Sequence, residues 1–207
     1  MKLTCLIAIA VSATSVDAAE RADPVAIVFG EEVSLKALIP AADIAEQKAK
    51  RPASEFAAWL EKTQCSAIRG KVWGAVFDDF IKKNSLEPAP KEVEACAKSL
   101  REMVSKDWDP KDGPVPMNLE FAGGIVRDWK RDVALHRKYG GRVIFQQFGP
   151  EPIDAWRKVL EEYEAKKAFV VTDARLKTCV YDYFSFKFYD VGENETKQFL
   201  SQPMCDF

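Results

Sequence analysis

The stretch EFAAWLEKTQCSAIRGKVWGAVFDDFIKKN, residues 55–84, carries the strongest periodic signal in the chain. Phe56, Trp59, Leu60, Ile68, Val72, Trp73, Val76, Phe77, Phe80 and Ile81 recur at intervals that place them on one face of an α-helix. The spacing predicts one long helix, or two joined near Gly70, whose apolar stripe other elements must cover. Lys82-Lys83-Asn84 suit its C-terminal end, because cations are favoured by the helix dipole and Asn tolerates left-handed backbone. Pro52 ends the preceding segment and biases Arg51 towards extended backbone, and Ser54 is the expected N-cap.

Towards the N-terminus, Val25 to Phe29 reads as a short buried strand, followed by a Gly30 turn and a second extended piece ending at Val33. Ser34 then caps a helical region to about Lys50, broken near Pro40. On the other side, Pro88-Ala89-Pro90 separates the long helix from a second, Lys91 to about Lys106. Residues 108–117 contain Pro110, Gly113, Pro114 and Pro116 and form a loop, the expected internal sub-boundary. Asn118 to Tyr139 is again helical and is stopped by Gly140-Gly141, with Arg142 to Phe148 a strand candidate. Gly149-Pro150-Glu151-Pro152 is expected to open a helix continuing from Ile153 to Lys167, and Phe169-Val170-Val171 a further strand. From Leu176 to Tyr189, Leu176, Thr178, Val180, Asp182, Phe184, Phe186 and Phe188 alternate with the residues between them, a period of two that predicts a strand. The expected class is α+β, mainly helical.

The chain opens with Met1-Lys2, an apolar run from Leu3 to Val11 and small residues to Ala19, the pattern of a secretory signal peptide cut after Ala18. A bilayer-spanning helix needs about 20 apolar residues, and neither this run nor any later one has them. Cys5 lies inside the apolar run rather than just after it, which argues against a lipid anchor. Removal of residues 1–18 from the 207 leaves 189 residues, 19–207, the size of one domain. An exported chain is expected to work in the periplasm of a Gram-negative cell or as a secreted protein. The formal net charge of −2 and the scattered basic residues argue against a nucleic-acid partner, which requires a concentrated positive face.

Cys65, Cys96, Cys179 and Cys205 remain after cleavage, an even number that favours disulfides outside the cytoplasm. Three connectivities are open. Cys179 with Cys205 is the preferred pair, since the expected strand and the tail could return side by side. No C-x-x-C spacing supports a zinc site, and no metal or other cofactor is expected.

Catalytic signals are sparse. His136 is the only histidine, and no serine or cysteine is tied to it by a motif. Asp78-Asp79, Glu161-Glu162-Glu164 and Asp190 with Glu193 could supply an acid–base pair across a cleft. Glu161-Glu162 followed by Lys166-Lys167 is the pattern of a solvated helix face. Asn194-Glu195-Thr196 matches a glycosylation sequon, meaningful only in a eukaryote. Trp59, Trp73, Trp129, Trp156 and the aromatics of residues 181–189 suit either a core or a peptide-binding cleft.

Three pieces, VAIVFGEEVS (25–34), IRGKVWGAVFDDFIKKNSLEP (68–88) and APKEVEACAKSL (89–100), resemble the N-terminal substrate-binding module of SurA-type periplasmic chaperones, shared with parvulin-type prolyl isomerases. The resemblance covers about Val25 to Met103. It implies ATP-independent binding of extended or unfolded polypeptide. Parvulin catalysis uses a pair of histidines, which a chain with one cannot supply, so isomerase activity is not implied. Ala89 stands where the family usually has a capping Ser. YGGRVIFQQFGPEPIDAW, residues 139–156, matches no motif with a statable mechanism. The alternatives are an enzyme, either a divergent isomerase or a carboxylate-based hydrolase, and an envelope-associated interaction protein.

Overall fold

A computed structural model describes residues 24–105, 111, 118–146, 149–186, 189–203 and 205. The expected signal segment, residues 1–18, lies outside the described residues, as does all of the 108–117 loop except Lys111. The chain is mainly helical α+β. Its strands are β1 (Ala26–Val28), β2 (Glu31–Val33), β3 (Ile144–Gln146), β4 (Gly149–Glu151) and β5 (Phe169–Val171). Its helices are α1 (Leu35–Leu38), α2 (Ala41–Lys50), α3 (Ala53–Lys83), α4 (Pro90–Ser105), α5 (Leu119–Tyr139), α6 (Ile153–Ala165), α7 (Ala174–Tyr181) and α8 (Glu193–Ser201).

Helix α3 is the predicted long helix, and it runs unbroken through Gly70 for 31 residues, about 46 Å at 1.5 Å per residue. Its buried residues, Gln64, Ile68, Val72, Val76, Phe77, Phe80 and Ile81, follow the predicted stripe from its middle onward. Phe56, Trp59 and Leu60, in its first turns, are only half-buried. The helix starts one residue before the expected cap: Pro52 occupies the N-cap position and Ser54 lies inside the first turn. At the other end the left-handed residue is Ser85 (φ 54°) rather than Asn84, whose side-chain amide instead donates to the Phe80 carbonyl at 2.7 Å.

The two halves of the chain meet in one small sheet. Its strand order is β2-β1-β5, all antiparallel, with Ile27 opposite both Glu32 and Val170. Ala26, Val28, Val33, Phe169 and Val171 turn inward and join α3, α6 and α7 in the main core. A smaller cluster of Cys96, Ala97, Ala122, Val126 and Cys205 lies between α4 and α5. Helix α4 starts without a side-chain cap at Ala89, yet the Ala89 amide is not orphaned, because it donates to the Glu92 carboxylate at 2.6 Å. That bond and the neighbouring Lys130 hold the Glu92 carboxyl below its ordinary value against the opposing effect of burial.

Over residues 176–186 the alternation does not produce a strand; Lys187 and Phe188, in the rest of that stretch, lie outside the described residues. Asp173 accepts from the amides of Arg175 and Leu176 and so caps α7, which passes into a 3-10 turn at Asp182–Ser185. The reason is tertiary: Leu176 and Val180 fit either period, but Cys179 joins them only on a helical face, and all three are buried in the main core where α7 packs on α3. Trp73 completes this contact with an indole N–H bond to the Val180 carbonyl at 3.0 Å and ring contacts to Phe77, Trp156, Tyr183 and Phe184. Likewise, Gly149–Glu151 pairs with β3 as a strand before α6 begins.

The disulfide pairing corrects the preferred sequence reading. Cys65 joins Cys179, and Cys96 joins Cys205. Cys179 is not on a strand beside the tail; it sits on α7, whose inner face lies along α3. The tail instead returns to α4, where Cys205 meets Cys96.

Gly140 and Gly141 end α5 with φ values of 61° and 100°. At Gly141 a Cβ would lie 2.5 Å from Asp154 Cβ, because Asp154 receives the Arg142 amide at 2.9 Å and the Arg142 guanidinium at 2.9 and 3.1 Å. Backbone strain and overlap therefore coincide. Gly141→Ala is expected to lower stability by about 2–4 kcal/mol. Gly74→Ala, at a position on α3 with nothing within 4 Å of the added Cβ, should be neutral or stabilising by up to about 1 kcal/mol. Urea unfolding of both variants checks the contrast, and equal midpoints would contradict it.

Candidate functional site

Helix α5 forms one wall of an open cleft of about 540 Å³. Asn118 caps the helix by accepting from the Glu120 amide at 2.8 Å, which sets the entry of the chain and the direction of the first turns. Phe121, Ile125, Asp128, Trp129 and Asp132, spaced by one, three or four residues, then face the cleft together. Pro150 and Glu151 from β4, Trp156 from α6 and Phe199 from α8 close the other sides. Trp129 donates its indole N–H to the Phe199 carbonyl at 2.7 Å and so ties α8 to α5. The walls are mostly apolar. Phe121 is 60% exposed, and Phe145, 62% exposed, stands opposite Pro150 on the same face of the β3–β4 pair, which carries the apolar surface beyond the cleft.

The floor is ionic. The Arg131 guanidinium makes a two-pronged pair with Asp132, Nε to Oδ1 at 2.7 Å and Nη2 to Oδ2 at 3.0 Å, and reaches Asp128 through Nη1 at 2.6 Å. The Trp156 indole N–H adds a bond to Asp132 at 2.7 Å. Both members of the Arg131–Asp132 pair are buried. Arg131 also lies over the Phe77 and Trp156 rings, at 4.6 and 5.5 Å, where the ring quadrupoles favour a cation. Burial pushes the Asp132 carboxyl above its ordinary value, opposed by Arg131 and by the Trp156 bond. Glu151 is raised by the same cause, with donation from the Tyr183 hydroxyl, at 2.5 Å, working the other way.

The residues singled out in the sequence are scattered over the molecule. His136, near the end of α5, has its Nε2 3.1 Å from the Gly141 carbonyl oxygen and lines a separate shallow hollow with Arg142, Asp190 and Lys197. Asp78 pairs with Arg127, while Asp79 pairs with Lys83 and accepts from Tyr163. Glu161 pairs with Arg157, Glu162 with Lys138 and Lys166, and Glu164 with Lys177. Lys166, Tyr139 and Lys138 bring the Glu162 carboxyl down to about 2. Asp190 lies 3.6 Å from Arg142, and the sequon Asn194-Glu195-Thr196 lies in the first turns of α8. Each of these carboxylates lies beside a lysine or arginine, the i,i+4 pair Glu162–Lys166 being of the kind the solvated-face reading of Glu161-Glu162 expects, and Glu193 opens α8. Among the described residues, no three His, Cys, Asp or Glu side chains come together as metal ligands.

Compared with known protein families, curated proteins and solved structures, the chain has no match. Of the cleft's walls, Trp129 and Trp156 were legible as surplus aromatics; Arg131, Asp132 and Glu151 were not. Arg131-Asp132 reads in sequence as one more charged pair on a polar helix face, and only the approach of α3 and α6 buries it. Among the described residues no helix is long and apolar enough to cross a membrane, and the two disulfides are compatible with an oxidising compartment.

Proposed function

We propose that the chain is an exported, chaperone-like protein that holds extended or unfolded polypeptide in the α5–β4–α6–α8 cleft, without ATP and without covalent chemistry. The observation that carries this reading is the cleft's lining: Phe121 is exposed, Ile125 and Trp129 are half-exposed beside it over the buried Trp156 and Phe199, and Phe145 is a second exposed aromatic, opposite Pro150 of the lining. Exposed aromatic surface of this kind is uncommon on a protein without a partner, and a segment lying across it gains by removing it from water. The likeness of residues 25–34, 68–88 and 89–100 to the SurA-type module supports the same function, although the cleft itself is built mainly from residues after Met117.

A carboxylate-based hydrolase is the second reading, favoured by the meeting of Asp132 and Glu151 at one cleft. It is weakened by the geometry of Asp132, both of whose oxygens are held by Arg131 and one also by Trp156. A carboxylate so held is a poor general base.

The purified protein is expected to suppress aggregation of an unfolded client at near-stoichiometric ratio. Phe121→Ala with Phe145→Ala should weaken that suppression several-fold, whereas His136→Ala should leave it unaltered. Light scattering with a chemically unfolded client reads both. No suppression by the wild-type protein, and no peptide binding at micromolar concentration, would remove the reading.

A further inference from the structure

The floor of the cleft carries one guanidinium, Arg131, and three carboxylates, Asp128, Asp132 and Glu151. Arg131 is already committed on every nitrogen, its Nε and Nη2 to Asp132 and its Nη1 to Asp128. An incoming carboxylate or phosphate would therefore compete with the buried Asp132 and the exposed Asp128 for a cation that is taken. Glu151 stands differently. Its side-chain hydrogen bond is to the Tyr183 hydroxyl, and among the described residues no lysine or arginine pairs with it. The cleft is thus apolar along its walls and carries excess negative charge at its base.

Lysine and arginine are the side chains that match both features at once. Their methylene stems lie against apolar surface while the charged end reaches a polar group, and the half-exposed Trp129 indole in the same cleft favours a cation near its face. A wholly apolar side chain would bury Glu151 without a counter-charge, a cost that a cation removes.

Resting on the polypeptide-binding reading, we propose that the cleft selects extended segments in which a lysine or arginine adjoins an apolar or aromatic residue, its cationic end pairing with Glu151 while the apolar neighbour lies on Phe121 and Ile125. Charge complementarity sets the occupant. The upward shift of Glu151 agrees: burial raises it and the nearby Asp132 adds to this, against the Tyr183 bond and Arg131.

The test uses three eight-residue peptides, acetylated and amidated so that no terminal charge remains, identical except for a central lysine, norleucine or glutamate. Binding is read from tryptophan fluorescence in low and moderate salt. The lysine peptide should bind about tenfold more tightly than the norleucine peptide, and the glutamate peptide most weakly. In Glu151→Gln, which keeps an acceptor for Tyr183, the preference for lysine over norleucine should fall to within about twofold. Equal binding of lysine and norleucine peptides to the wild-type protein overturns the inference and leaves the polypeptide-binding reading standing. So does a lysine preference undiminished in Glu151→Gln. If no peptide binds, that reading fails by itself, and the cation site is judged with N-acetyl-lysine methylamide: saturable binding that Glu151→Gln abolishes supports it, and no binding overturns it.

Discussion

Asp132→Ala is expected to be the most destabilising single substitution in the α5–α6 region, by about 3–5 kcal/mol, because it strands a buried guanidinium. Arg131 would keep only Asp128, whose side chain is largely exposed, and the Trp156 indole N–H would lose its acceptor. The effect belongs to the unpaired charge rather than to the net worth of the pair. Replacing both partners together, Arg131→Met with Asp132→Leu, should therefore cost much less than the two single changes combined. Urea unfolding of the two single variants and the double variant supplies the cycle. A single Asp132→Ala change costing under 1 kcal/mol would mean that water reaches Arg131 and that the pair is not buried in solution.

Loss of the Cys65–Cys179 bridge is the second large effect. It joins α3 to α7 across 114 residues of chain, and it anchors the segment that turned helical where alternation predicted a strand. Cys65→Ser with Cys179→Ser is expected to cost about 2–5 kcal/mol, largely by enlarging the unfolded ensemble. The loop closed by Cys96–Cys205 is of similar length, 109 residues. Its removal should release mainly the tail beyond α8, since Cys205 packs in the small cluster under α4 rather than in the main core. Peptide mapping under non-reducing conditions decides the connectivity, and a Cys179–Cys205 fragment would refute both assignments.

Local signals were strong where periodicity and punctuation agreed. The stripe of α3, the Ser34 cap, the Pro88–Pro90 break and the Gly140-Gly141 stop all act through the residues nearest them, so each could be read along the chain. Residues 176–181 show where this fails. Leu176 and Val180 satisfy both a period of two and a helical face, Cys179 only the helical one, and the covering surface of α3, more than 90 residues away in sequence, selects the helix.

Local pattern alone fixes that this chain is mainly helical, where α3, α4 and α5 lie to within a few residues, and that its four later cysteines are candidates for disulfides. Tertiary structure alone decided which cysteines meet, because pairing depends on which helices lie side by side. It alone decided the site as well. Phe121 and Trp129 share a helix face that looks like any core stripe, and Arg131-Asp132 looks like any solvated pair. Only packing leaves the first pair lining an open cleft and encloses the second, because burial is set by what the rest of the chain brings against a residue and not by the residue's own neighbours in sequence.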